Sequence, residues 1–487
     1  MSEMAVLARS GVRDARALLV DHLLERVSGD GAVRDRCRSR VLESALALVA
    51  VTETGLFPEH RQRLLSYLRG HPAPPDGFDG MLAAAALGAA PDPERALAWL
   101  DGFDHFTAPR KRLMFTGVLA VLGAVPFPAV PPIPFRGQAS WVELTLCALD
   151  LLHHGDRPGS LAFLTDRLEH GSLQPVWEGH VLAHLLAVIA LNREVPGHRL
   201  AAEGLAAVLA TQNDDGGVPF VAGMEVFCTV TAGLALHAAR TVPLDRTFAM
   251  GDYLAGRQRP GGGWSYAEGV AQADVDDTSY CLQFLRALSP ERYAAEIAAA
   301  GNYLTEIAGP DGGFPTFLRG HDSELAMTAG ALGALDPVEH SGTFRAATAH
   351  LLAAQRPDGT FECGWSLAET NAVFRTLAAL ARIPCPGPAV TRAITTAAGR
   401  LMSTQNLDGG WGQRPGDPSD PISTAYALSC TRRWPASPTH RAGLGYLLAR
   451  QNPDGGYTSR PDQAGPRPIP WDVPVLASIG VLQALAP

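Results

Sequence analysis

Three carboxylates, Asp274, Asp276 and Asp277, stand within four residues in the stretch ADVDDTSYC, which runs from Ala273 to Cys281. The chain then turns apolar through Cys281-Leu282-Gln283-Phe284-Leu285. Carboxylates this close together in a low-dielectric pocket cannot all ionise, so one keeps its proton at neutral pH. Held in place by its neighbours, the protonated member is an acid able to attack a weak base, an alkene included. The resulting carbocation would be stabilised by aromatic faces and protected in a dry cavity. Candidate rings are Trp264, Phe314, Phe361, Trp365, Trp411 and Tyr426, in or near repeated loops and helices. Tyr280 and Phe284 follow Asp276 at i+4 and i+8, hence on its helical face. A calcium loop starting at Asp274 would need Gly and Glu where Ser279 and Leu285 stand. Helix N-capping accounts for one or two of the carboxylates. Each ring, taken singly, also fits ordinary core packing.

The elements that would position these groups recur. Six segments resemble one another: QNDDGGVPF from Gln212, QRPGGGWSY from Gln258, AGPDGGFPT from Ala308, QRPDGTFEC from Gln355, QNLDGGWGQ from Gln405 and QNPDGGYTS from Gln451. Their starts differ by 46, 50, 47, 50 and 46 residues. Each unit reads as a helix, a Gly-rich turn, an aromatic and a second apolar helix. Helix pairs unable to bury their own faces must stack, and six pairs can close into an α/α toroid with a central cavity.

The first two hundred residues are less regular. Apolar helices such as VLESALALVAVTETG and HVLAHLLAVIALN are separated by Pro/Gly breaks, the longest being VPFPAVPPIPF from Val125 to Phe135. The expected architecture is all-α, with two α/α-barrel domains. Residues 1–200 form a degenerate N-terminal domain, whose first helix can pack on the second. Residues 201–487 form the six-pair toroid that carries the acid cluster. A single long solenoid is the plainer alternative.

Composition narrows the function. A net charge of −9 without a dense Lys/Arg stripe argues against a nucleic-acid partner. Seven scattered cysteines argue against a disulfide framework and suit a reducing cytoplasm. The N-terminal segment reads as an amphipathic helix without a signal-peptide core. No apolar run reaches the roughly 18–20 residues of a transmembrane helix, which leaves only peripheral membrane contact.

The Gln…Asp-Gly-Gly-Trp-like repeats, over roughly residues 205–487, together with Asp-Val-Asp-Asp-Thr, resemble the class II terpene cyclases, the squalene–hopene and bacterial copalyl-type enzymes. GMEVFCTVTAGLAL (Gly223 to Leu236) and GGGWSYAEGVAQADVDDTSY (Gly261 to Tyr280) look more like the diterpene-type members. The resemblance implies the βγ domain arrangement, with Asp276 as proton donor and Asp274 and Asp277 tuning it. It also implies an isoprenoid substrate and Mg²⁺ accompanying its diphosphate, with no organic cofactor. The substrate expected first is geranylgeranyl diphosphate, cyclised to a bicyclic copalyl-type diphosphate. Farnesyl diphosphate giving a drimane-type product is the near alternative, and a prenylated aromatic the third. No Asp-Asp-x-x-Asp is present to ionise a diphosphate, so that group should be retained. Its partners are sought among Arg257, Arg259, Arg319, Arg356, Arg375, Arg460 and Arg467, and the metal ligands are left unassigned.

Two other classes compete. Protein prenyltransferase β-subunits use the same toroid with zinc on Asp, Cys and His, and Asp277 with Cys281 offers a partial match at the wrong spacing. A helical-repeat binding scaffold explains the repeats but not the acid cluster.

Overall fold

The structure is a computed structural model. It describes residues 3–486 apart from 72–76, 90, 104, 106, 129–130 and 158, with only the backbone helix considered for residues 3–10. Two residues of the Pro-rich loop thus lie outside the described residues.

The chain begins with α1 (Glu3–Leu24). Nine helices follow: α2 (Val41–Thr54), α3 (Pro58–Gly70), α4 (Phe78–Ala86), α5 (Pro93–Trp99), α6 (Ala108–Val121), α7 (Ser140–His154), α8 (Ser160–His170), α9 (Val181–Glu194) and α10 (Arg199–Leu209). Their apolar faces meet in one core, with the fully buried α9 at its centre. Eleven more complete the chain: α11 (Glu225–Ala239), α12 (Leu244–Ala255), α13 (Val275–Leu288), α14 (Ala294–Ile307), α15 (Leu325–Ala334), α16 (Ser341–Ala353), α17 (Glu369–Leu380), α18 (Pro388–Ser403), α19 (Pro421–Thr431), α20 (Pro438–Leu448) and α21 (Val475–Leu485). The odd-numbered helices of this set pack each on the next, and α21 packs on α11. They form a closed inner ring with a second core.

The repeated turn explains why the ring closes. Its glycine adopts a left-handed backbone, φ +88° at Gly262 and +87° at Gly409, which only glycine takes up readily. Each turn docks on the following outer helix. A Cβ on Gly262 would lie 2.4 Å from Ala299 O of α14, and one on Gly409 would lie 2.7 Å from Ala442 O of α20. The preceding glutamine clamps the same junction: Gln258 Nε2 donates to Gly262 O and to Glu296 O of α14, at 2.8 and 2.9 Å. The aromatic then turns inward. Trp264 and Trp411 are fully buried, and each indole N–H donates to a carbonyl near the end of the preceding outer helix, Leu254 O and Leu401 O. Gly409→Ala is expected to cost about 2 kcal/mol or more, from the left-handed backbone and the clash with α20. Thermal melting checks this; an unchanged midpoint would show that the turn does not hold α20.

The ring has six helix pairs, as expected, but draws them from other segments than the repeated turns suggest. Gly455, in the last turn, docks on Leu18 of α1, and Gln451 donates to Ala15 O. Gly31, just after α1, docks in turn on Ala249 of α12. The sixth outer helix of the ring is therefore α1, followed by a turn, Ser28-Gly29-Asp30-Gly31, that lacks the glutamine signature. The Gln212 turn instead docks its Gly216 on Arg63 of α3. Consequently α10 and the chain through Val218 belong to the first core, and the second takes up near Phe220 while also drawing in α1. The cores exchange segments because an outer helix must cover the seam between α21 and α11, and α1 supplies that apolar face.

Candidate active site

The repeat itself creates the start of α13. After Trp264 the chain returns so that Asp274 N donates to Trp264 O at 2.9 Å, as Glu324 N does to Phe314 O and Asp420 N to Trp411 O. An acid thus stands at the inner-helix start in three units. Asp274 is a true N-cap, its carboxylate accepting from Asp277 N at 2.8 Å. The capping reading is therefore correct for Asp274 and says nothing of Asp276 and Asp277, which this unit alone adds.

The three carboxylates have unlike surroundings. Asp274 and Asp277 are buried. Burial, the largest influence, pushes both carboxyls upward. The charge of Asp274 and a hydrogen bond shared with it push Asp277 further. Asp277 Oδ1 has no hydrogen-bond partner among the described residues. The pair thus keeps a proton at neutral pH, because two adjacent charges without water cannot both be supported. Asp276 is the least buried of the three. Arg375 of α17 grips it through both oxygens, Nη1 lying 3.0 Å from Oδ2 and Nη2 closing on Oδ1. This fork matches the carboxylate form.

All three carboxylates line a cavity of about 130 Å³ between the two cores. Seven Trp, Tyr and Phe rings stand among its other walls: Trp141, Phe220, Phe227, Tyr266, Phe317, Trp365 and Trp471. His180 stacks on Trp141, ring centroids 5.1 Å apart, and burial pushes its imidazole down to about 3, so it is neutral.

Of the rings expected from sequence to line the site, Trp365 does so. Trp264, Phe284, Phe314 and Trp411 do not; each is fully buried in the second core, where the repeat needs it for packing. Tyr280 and Tyr426 sit deeper in the ring. Tyr280 stands beneath the Arg375 guanidinium at 5.3 Å and packs edge-on to the cavity-lining Phe227. Tyr426 donates to Asp462 at 3.1 Å and stacks on Phe374. The rings missed from sequence come largely from the first core or from loops with no repeat signature. Phe220 and Tyr266 carried a signal, since they stand in the repeated segments that begin at Gln212 and Gln258.

No protein-family model matches the chain. Two curated relatives match it nearly end to end. The drimenyl diphosphate synthase of Streptantibioticus cattleyicolor is 47% identical, over 98% of this chain and 95% of its own length. That of Streptomyces showdoensis is also 47% identical, over 97% and 93%. The chain belongs to the class II terpene cyclases. The fold of the cyclase also matches that of the ent-copalyl diphosphate synthase from Streptomyces platensis, with a TM-score of 0.61 over 98% of this chain and 99% of that one, at 20% identity.

A second cleft of the cyclase, about 420 Å³, shares Trp141, Thr316, Phe317, Trp365 and Pro466 with the apolar cavity. Its walls carry Arg110, Lys111 and Arg467. Arg467 reaches Glu324 at 2.9 Å. Arg110 Nη1 donates to Gln138 Oε1 at 2.6 Å, while its Nε is buried without a partner among the described residues; burial pushes its guanidinium downward. Of the arginines considered from sequence, Arg467 lies in this cleft and Arg356 in a neighbouring one. Arg375 is committed to Asp276, while Arg257 pairs with Glu268 and Arg259 donates to Val270 O. Arg319 and Arg460 are exposed.

The zinc reading loses its ligands. Cys281 is buried in the second core, and among the described residues no three His, Cys, Asp or Glu side chains converge to hold a metal. No described helix is long and apolar enough to cross a membrane.

Proposed function

We propose that this cyclase converts farnesyl diphosphate into a drimane-type bicyclic diphosphate with the diphosphate retained. The observation that carries the reading is the near full-length match to two proteins named drimenyl diphosphate synthase. It favours the shorter of the two prenyl diphosphates over geranylgeranyl diphosphate, and a cavity narrowed by seven large rings agrees with it.

The isoprenoid lies in the aromatic cavity and the diphosphate in the adjoining cleft, against Arg110, Lys111 and Arg467. Charge-assisted donors there hold the phosphate oxygens. Mg²⁺ bound with the diphosphate would meet the carboxylates of Asp322 and Glu324 on the cleft wall and neutralise phosphate charge. The buried Asp274–Asp277 pair stores the proton, and Asp276, the member most open to the cavity, delivers it to the terminal alkene. Arg375, forked on both oxygens, holds the Asp276 carboxyl in place towards the cavity. The new C–H bond leaves a tertiary cation, which the next alkenes attack in turn to close two rings. Aromatic faces stabilise the moving charge, and the dry walls delay capture by water.

The test is incubation of the purified protein with Mg²⁺ and either farnesyl or geranylgeranyl diphosphate. Products are dephosphorylated and identified by gas chromatography–mass spectrometry. A bicyclic C15 alcohol from farnesyl diphosphate is expected. A bicyclic product from geranylgeranyl diphosphate alone would restore the longer substrate, and linear alcohols from both would remove the reading.

A further inference from the structure

A cation made in this cavity must be discharged, and the structure supplies one further carboxylate on its wall. Glu178 belongs to the short turn Trp177–Gly179 that precedes α9, so it comes from the first core rather than from the helix bearing the acid. It is buried, 4% exposed, and lines the same cavity as Asp274, Asp276 and Asp277. We propose that Glu178 is the base that ends the reaction by removing a proton from the bicyclic cation.

Three observations support the assignment, which rests on the cyclase reading above. The first is placement. Glu178 adopts φ +46° and ψ +26°, a left-handed backbone costly for a residue with a long side chain. The surroundings enforce it: Tyr266 Oη donates to Glu178 O, and Gly179 N donates to Val176 O. The second is the carboxylate's setting. Ser140 Oγ donates to Oε2 and Ala271 N to Oε1 at 3.2 Å, which fixes the group and supports its charged form. Burial, acting the other way, pushes its affinity for a proton upward. The cation acting on it from nearby, Arg167, pairs with Glu143 rather than forking onto Glu178 as Arg375 does onto Asp276. The third is an outlet. Glu178 also borders an open cleft of about 400 Å³ that carries Glu143, Arg167 and Gln272, so a proton taken from the cavity can leave to water on the other side.

His180, the other candidate on the wall, is less suited. It caps α9, accepting from Ala183 N, so its lone pair already faces a backbone N–H. The remaining ring nitrogen of a neutral imidazole then carries hydrogen.

The step balances without a further reactant. A C–H bond beside the cationic carbon breaks, and its electron pair becomes the ring alkene that neutralises the cation. The proton passes to a Glu178 oxygen and then to water in the open cleft.

The test compares wild type, Glu178→Gln, Glu178→Asp and Ser140→Ala on farnesyl diphosphate, each first shown to be folded by circular dichroism. Glu178→Gln is expected to slow turnover about 100-fold and to divert product towards hydroxylated or double-bond-isomeric bicyclic alcohols. Glu178→Asp keeps a carboxylate and should restore part of the wild-type alkene. Ser140→Ala, which only loosens the group, should alter the alkene ratio with a smaller loss of rate. Wild-type rate and product from Glu178→Gln would overturn the proposal. Equal rate losses in the Gln and Asp variants with unchanged product ratios would also overturn it, leaving a structural role. If Glu178→Gln does not fold, Glu178→Asp decides by its alkene ratio, unchanged at full rate meaning rejection. Failure of wild type itself to cyclise would instead defeat the cyclase substrate reading.

Discussion

Asp276→Asn is expected to lower turnover of farnesyl diphosphate about a thousandfold, within the range of a lost general acid. The fold and KM should change little. Asparagine keeps the shape of the side chain and an oxygen for Arg375, but has no acidic proton. Asp276 is also the member of the cluster that opens most to the cavity, so its removal takes away the delivering group itself. The comparison with its neighbours is informative. Asparagine is as good an N-cap as aspartate, so Asp274→Asn should preserve the start of α13 while weakening the store of the proton. Asp277→Asn removes the other half of that store. Single-turnover rates, measured beside melting curves, rank the three. A folded Asp276→Asn that retains more than a tenth of wild-type turnover, beside an inactive Asp277→Asn, would show that the buried pair protonates the alkene directly.

The second large effect is expected at Arg375. Arg375→Leu should destabilise the protein by about 1–3 kcal/mol, because it strips Asp276 of two charged hydrogen bonds. It should also reduce kcat about 10- to 100-fold with KM nearly unchanged. The reason is positional. The charged fork holds the Asp276 carboxyl towards the cavity, and a carboxyl released from it takes up orientations that do not reach the alkene. Arg375→Lys retains the charge without the fork and should recover part of kcat. Steady-state kinetics separate this role from diphosphate binding, the role that loop arginines were expected to play. A KM raised tenfold with kcat preserved would place Arg375 on the diphosphate instead and would undo the positioning account.

Much was legible before any coordinates. The spacing of the Gly-rich turns required a helix-pair array, and three acids beside an apolar helix required a buried proton. Both follow from local rules: glycine where φ must be positive, and mutual repulsion among crowded carboxylates. The identity of the sixth outer helix was not legible. Leu18 and Gly455 meet across nearly the whole chain, and the turn at Gly31 lacks the glutamine that marks all the others but the one at Ala308. Aromatic residues were legible as a class but not by role. Trp264 and Trp365 look alike in sequence, yet one is sealed in the core and the other faces the cavity. A ring's burial depends on which neighbours arrive from elsewhere, and periodicity within one repeat cannot report that.

The sequence by itself determined the α/α repeat and the acid, because both are written in short, contiguous spacing. The tertiary structure alone decided that Arg375 grips Asp276, that Arg110 and Arg467 share a cleft, and that Glu178 joins Asp276 on one cavity wall. Arg375 and Asp276 stand 99 residues apart, Glu178 and Asp276 stand 98 apart and Arg110 and Arg467 stand 357 apart, so only the packing of helix on helix and of one core against the other brings them together.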